Sequence, residues 1–246
     1  MLKNATNFIR NRKKVVAITC DRIKYLLWYV VECYQILLKD EPTYSKTVVK
    51  KDTTLHFEDY LKMELVDEYL IPNKRLVSSR CSELENINFH YENQARYTDI
   101  SDKKQKPDKI DIYINKLGLQ TSWNQEEENI YFVLECKRIT ILSDCKTYIE
   151  DTQKFADRNY NNLRLPFEGQ LAFIENKKLN SISVSNEINN RLKLSPTLIT
   201  TQFLKSQIVN KSFNGCYFSI HKRNYNKKEP FTIFHLFFDY SKVVIN

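Results

Sequence analysis

The stretch KIDIYIN (Lys109–Asn115), followed by IYFVLECKR (Ile130–Arg138), decides how this chain is read. Its first part alternates, which puts Ile110, Ile112 and Ile114 on one face of a strand and Asp111 and Tyr113 on the other. Its second part is a near-continuous apolar run, the pattern of a strand covered on both sides, and it ends in Glu135-Cys136-Lys137. Glu135 and Lys137 stand two apart and so share a face. The loop 116–129 between them carries Gly118 and an acidic tip, Glu126 to Glu128. In a hairpin of this kind Asp111 and Glu135 emerge side by side at one end of a sheet, with Lys137 next to them. Burying either charge unpaired costs on the order of several kcal/mol, so the cluster requires a partner or a metal ion.

Working outward, residues 15–38 read as a helix, with Ile23, Leu26, Leu27, Val30, Val31, Tyr34 and Leu37 at three- and four-residue steps and Pro42 beyond its end. A second helix is expected from Thr53 or Thr54 to about Leu70, with Phe57, Leu61, Leu65 and Tyr69 on one face and Pro72 stopping it. Residues 73–106 are polar and irregular, with room for a short strand over Asn88–Tyr97. After the hairpin, the pattern predicts a helix over Tyr148–Tyr160, a strand over Gly169–Ile174 and a polar helix over about Asn186–Leu194. Two more strands follow, Cys216–His221 and Thr232–Tyr240, joined by a basic loop. This order indicates a mixed α/β sheet covered by helices. Residues 1–50 are expected to form an N-terminal helical extension and 51–246 a single domain.

Composition narrows the function classes. Three glycines in 246 residues exclude a Walker loop or a dinucleotide fingerprint. The six cysteines include no CxxC pair, and no histidine lies at zinc-ligand spacing from them, so they read as reduced thiols of a cytoplasmic protein. The four histidines are scattered; His235, inside an apolar run, reads as a core histidine with its hydrogen bonds satisfied. The start is basic with a short apolar run, Val15 to Ile18, too brief for a signal segment. Lys24, Glu32 and Gln35 interrupt the apolar stretch 23–38, so no membrane span is expected. The net charge of +8 suits a polyanionic partner, but a lysine-rich composition alone accounts for it equally well.

The chemistry that fits the cluster is phosphodiester hydrolysis. Two carboxylates offer the hard oxygen ligands that Mg²⁺ or Mn²⁺ prefers, and such an ion neutralises a phosphate and acidifies a water. A lysine beside them orients or deprotonates that water, or serves as a fixed cation.

Pro107-Asp108-Lys109-Ile110-Asp111-Ile112 followed by Leu134-Glu135-Cys136-Lys137-Arg138 resembles the signature of the PD-(D/E)XK nuclease superfamily, over about residues 53–240. The resemblance implies a restriction-endonuclease-like core with a mixed central sheet flanked by helices. It implies a metal-dependent nuclease, acting on DNA ahead of RNA, in a prokaryotic defence system or a mobile element. Strand register favours Asp111 as metal ligand, with Asp108 second. The family places a glutamate on the helix before the first strand; Glu58 is the match and Glu64 the runner-up. It also carries a glutamine or basic residue on the helix after the motif, where Gln153, Lys154 and Arg158 stand. Catalysis is thus expected from Asp111, Glu135, Lys137, Glu58 and Gln153, with Asp111, Glu135 and Glu58 holding the ion. Arg138, Lys154, Arg158, Lys222 and Arg223 are expected to contact nucleic acid, the last two within a cluster with His221, Tyr225, Lys227 and Lys228. The aromatic face of the N-terminal helix (Trp28, Tyr29, Tyr34) either packs on the core or forms a homodimer face. The rival readings are a catalytically inactive nucleic-acid-binding module on the same fold and a protein-interaction module.

Overall fold

The computed structural model describes residues 2–100, 102–160, 165–226 and 229–245; Lys227 and Lys228 of the expected basic cluster lie outside them. In chain order the first elements are helix α1 (Leu2–Asp40), strand β1 (Tyr44–Ser45), α2 (Lys46–Asp52), α3 (Phe57–Glu64), α4 (Arg75–Ser78), β2 (Asn88–Asp99), β3 (Gln105–Asn115) and α5 (Gln120–Trp123). Then follow β4 (Phe132–Ile139), α6 (Cys145–Asp157), β5 (Arg158–Tyr160), β6 (Phe167–Ile174), α7 (Ser181–Leu194), β7 (Thr200–Ser206), β8 (Cys216–Lys222), β9 (Pro230–Asp239) and β10 (Val244–Ile245).

Local chemistry sets several of the boundaries. Helix α1 stops where Glu41 turns to φ 50, just before Pro42. Ser45 caps α2 by accepting the Val48 N–H, and Asn180 and Ser183 form a reciprocal capping box at the start of α7. Helix α3 continues into a π-helical stretch, Leu65–Leu70, whose wider turn keeps Leu65, Val66, Tyr69 and Leu70 all buried. Helix α2 and strand β7 carry no strong periodic signal in the sequence and were not expected.

The main sheet is eight-stranded, in the order β5-β2-β3-β4-β6-β9-β8-β7. Strands β2, β3 and β4 pair antiparallel, β4 and β6 pair parallel, and so do β6 and β9. Helix α6 lies in the crossover from β4 to β6, as a parallel pair requires. The architecture is therefore mixed α/β with helices on both faces. One core contains α1, α3 and the side chains of Ile112, Ile114, Leu134, Leu171 and Leu236; the other joins α6 and α7 to Val133, Ala172 and Ile233. Between them β6 is buried along its whole length.

The first fifty residues pack as a layer of this structure. Ile23, Leu26, Leu27, Tyr29, Val30, Val31 and Leu37 are fully buried in the same core as the sheet, Tyr34 stacks on Phe238 with ring centroids 4.0 Å apart, and Arg80 lies 3.9 Å over the Trp28 ring. The aromatic face that sequence offered for dimerisation is thus occupied within the chain. All six cysteines are free thiols. His235 is satisfied in the core by the Tyr148 hydroxyl at 2.9 Å and Ser219 Oγ at 2.8 Å. No helix among the described residues is long and apolar enough to cross a membrane.

Gly169, mid-sheet on β6, is where packing leaves no room. A Cβ there would meet Leu134 Cδ2 at 2.3 Å, Phe132 Cζ at 2.8 Å and the Val133 carbonyl oxygen at 2.8 Å. Gly169→Ala is expected to destabilise the protein by about 1–3 kcal/mol. That is a drop in Tm of roughly 2–4 °C per kcal/mol for a chain of this size, read by thermal denaturation; an unchanged Tm would show that β4 and β6 are less tightly apposed.

Candidate active site

The site is built where β3 and β4 separate. Their register runs Ile114–Phe132, Tyr113–Val133 and Ile112–Leu134 and stops there. The next N–H groups on that edge of β4 belong to Cys136 and Arg138, and side chains accept from them in place of a strand carbonyl. Asp111 Oδ2 takes the Cys136 N–H at 2.8 Å, and Glu58 Oε2 takes the Arg138 N–H at 2.9 Å. Buried amides need acceptors, so both carboxylates substitute for the missing ladder.

At this point the alternation expected for β3 breaks, which corrects the reading of the strand as one unbroken pleat. Ile112 and Ile114 pack in the α1 core, while Ile110 packs with Tyr113 in the α6 core. The physical reason is local: Glu92, which lies opposite Asp111 on β2, adopts φ 59, and β4 no longer holds β3 from the other side. Asp111 is thereby turned into the fork.

Helix α3 clamps the fork from one side. Glu58 and Lys62 are one turn apart on it and reach the site with opposite charges. Glu58 Oε1 accepts from Lys137 Nζ at 3.0 Å. Lys62 Nζ donates to Asp111 Oδ1 at 3.1 Å and to Asp59 Oδ1 at 2.8 Å, with Glu92 Oε1 at 3.7 Å. Lys62 is 1% exposed, so this ammonium is a fixed internal charge. From the other side α6 contributes Asp151, also buried, whose Oδ2 lies 3.3 Å from Lys137 Nζ without a hydrogen bond and whose Oδ1 pairs with Lys154 Nζ at 2.5 Å.

Charge sets the proton affinities. Burial, then the neighbouring carboxylates of Asp111, Asp151 and Asp108, push the Glu135 carboxyl well above the usual range. Burial alone would lower Lys137 and Lys62, but Asp151 and Glu58 in one case and Asp111 and Asp59 in the other outweigh it and raise both. Lys137 therefore acts at neutral pH as a fixed cation and not as a base. The connected carboxylates Glu58, Asp59, Glu92, Asp111, Glu135 and Asp151 number six; the ammonium groups among them, Lys62, Lys109, Lys137 and Lys154, number four. The deficit is two positive charges.

The structure thus brings together Asp111, Glu135, Lys137 and Glu58. Other expected residues have different engagements. Gln153 faces Asp157, at 2.9 Å, and Thr197. Asp108 is paired by Arg158, which stacks 4.7 Å over Tyr97. Glu64 has Tyr60 beside it. The Arg138 guanidinium is locked on buried Glu175, which Lys46 also contacts, and lies over Phe57. His221 is buried, and so is Arg223, which pairs with Glu168 at 2.7 Å; Lys222 and Tyr225 are half-buried. Lys154 is half exposed. Two residues were not anticipated. Lys62 could have been found from its four-residue spacing to Glu58, and Asp151 from its three-residue spacing to inward-facing Tyr148.

Searches of family models, curated proteins and solved structures return no match, so the functional reading rests on these residues alone.

A raised folded-state pKa means that Glu135 favours the fold when protonated. Its contribution is complete below the ordinary glutamate value, roughly 4.3, and is lost as pH rises through the raised value. In chelator at pH 8, Glu135→Gln is therefore expected to raise Tm by a few degrees and to flatten its decline between pH 5 and 8. An equal decline in the variant would mean that Glu135 is not under strain.

Proposed function

We propose that this chain is a divalent-cation-dependent nuclease of restriction-endonuclease-like fold, with Asp111 and Glu135 holding the ion and Lys137 beside it. The observation that carries the reading is the opposition of Asp111 and Glu135 in the fork, with Glu135 driven toward its protonated form by burial and by its neighbours. Two carboxylates that repel each other in a cluster short of two positive charges are arranged for a dication. Among the described residues no group of three or more His, Cys, Asp or Glu side chains is placed to hold a metal. That is compatible with Mg²⁺, which keeps much of its water and is commonly held by one or two protein carboxylates together with substrate phosphate. When bound, such an ion would supply charge neutralisation at the phosphate and acidify a water.

The protein's own groups supply the rest. Lys137, gripped by Glu58 and Asp151, presents a positioned ammonium to the charge that develops on a phosphoryl group. Glu58 acts on this lysine and on the β4 backbone, so its role is positioning. Lys154 and Lys109, each about half exposed, flank the site and suit the approaching backbone of a nucleic acid. The element order α3-β2-β3-β4-α6-β6, with the motif residues on β3 and β4, supports the PD-(D/E)XK resemblance. A nucleic-acid substrate accords with the net charge of +8, DNA being the first polymer to try.

The test is cleavage of plasmid, single-stranded DNA and RNA in Mg²⁺ or Mn²⁺. Wild type is expected to cut at least one polymer, and Lys137→Ala and Asp111→Asn to lose roughly 10²–10⁴-fold in rate while keeping their fold. A wild-type protein inert on all three that still binds DNA would favour an inactive binding module, and variants as active as wild type would place the chemistry elsewhere.

A further inference from the structure

The fully buried ammonium of Lys62 has no role in the reading above, and its surroundings are those of a cation site. Three carboxylates from three elements face it: Asp59 on α3, Glu92 on β2 and Asp111 on β3, at 2.8, 3.7 and 3.1 Å. An ordinary structural lysine buried in a core pairs with one acid; here one ammonium is shared by a set of oxygens of the kind that hard cations collect. It sits on Asp111 Oδ1, while Oδ2 is spent on the Cys136 amide, so Asp111 meets a positive charge on one oxygen before any ion arrives.

We propose that Lys62 is a built-in cation that occupies the second of two cation positions sharing Asp111, so that the site takes a single divalent ion, on the Glu135 side. The proposal rests on the reading that Asp111 and Glu135 hold a divalent ion, and it specifies how many. Charge favours it. With Lys62 in place the connected cluster lacks two positive charges, which one dication supplies; a second would leave the cluster net positive. Geometry favours it too, because Lys62 enters from α3 while Glu135 lies on β4, so Asp111 is flanked by the ammonium and by the other carboxylate.

The test is Mn²⁺ binding to the full chain, by calorimetry and by the loss of free-ion electron paramagnetic resonance signal. Wild type is expected to bind one ion per chain, Lys62→Arg one, and Lys62→Met and Lys62→Gln two. If the uncharged variants fail to fold in chelator, millimolar Mn²⁺ is expected to restore their circular dichroism spectrum. Two ions on wild type, or one ion of unchanged affinity on folded Lys62→Met, would overturn the proposal and leave the metal-site reading standing. Uncharged variants that Mn²⁺ does not rescue would overturn it as well. No Mn²⁺ on wild type would sink the metal-site reading itself, and this proposal with it.

Discussion

Everything about the site depends on an interrupted ladder. Strand β4 gives its N–H groups to β3 only as far as Leu134, and the next two on that edge are accepted by the carboxylates of Asp111 and Glu58. An amide left without an acceptor in a protein interior costs on the order of 1–3 kcal/mol, so the fork is stable only while these acids stay where they are. The same atoms are thus required by the backbone and available to chemistry. Helix α3 enforces this with a reciprocal arrangement, sending a glutamate to the site's lysine and a lysine to the site's aspartate from positions one turn apart.

The remaining architecture serves to hold that arrangement rigid. Parallel pairing of β4 with β6, and of β6 with β9, places the fork next to the most deeply covered strands of the sheet. Helix α1, packed across one face, supports α3 through Leu61, Leu65 and Val66 in a shared core. On the other face α6 delivers Asp151 against Lys137 while its apolar side rests on the sheet. Most of the basic side chains near these elements are consumed in internal pairs, Arg138 with Glu175, Arg158 with Asp108 and Arg223 with Glu168. The positive net charge is therefore less concentrated around the site than the sequence suggests.

Much of this was legible beforehand, for physical reasons. The alternation of KIDIYI and the apolar run of IYFVLECK are period-two and buried-strand signals that depend on burial alone, and they located β3, β4 and three site residues. The helices with clear apolar stripes were legible in the same way. What sequence could not provide was the break in alternation at Asp111, since it arises from a neighbouring strand, through Glu92 at φ 59, and from the end of the β4 ladder. Lys62 was hidden because a lysine between apolar helix positions ordinarily reads as solvated, and only the tertiary placement of Asp111 and Asp59 makes it internal. Gln153 was assigned from family habit, and the helix in fact presents Asp151, two residues earlier, to the site. The packing of α1 was undecidable from its amphipathic pattern, because an aromatic stripe fits a dimer and a core equally well.

The most direct test is a crystal structure of the wild-type protein soaked in Mn²⁺, with data collected at the manganese absorption edge. The account predicts one anomalous peak between the carboxylates of Asp111 and Glu135, with Lys62 still bonded to Asp111. No peak at the fork, or one at a site that excludes both carboxylates, would contradict it.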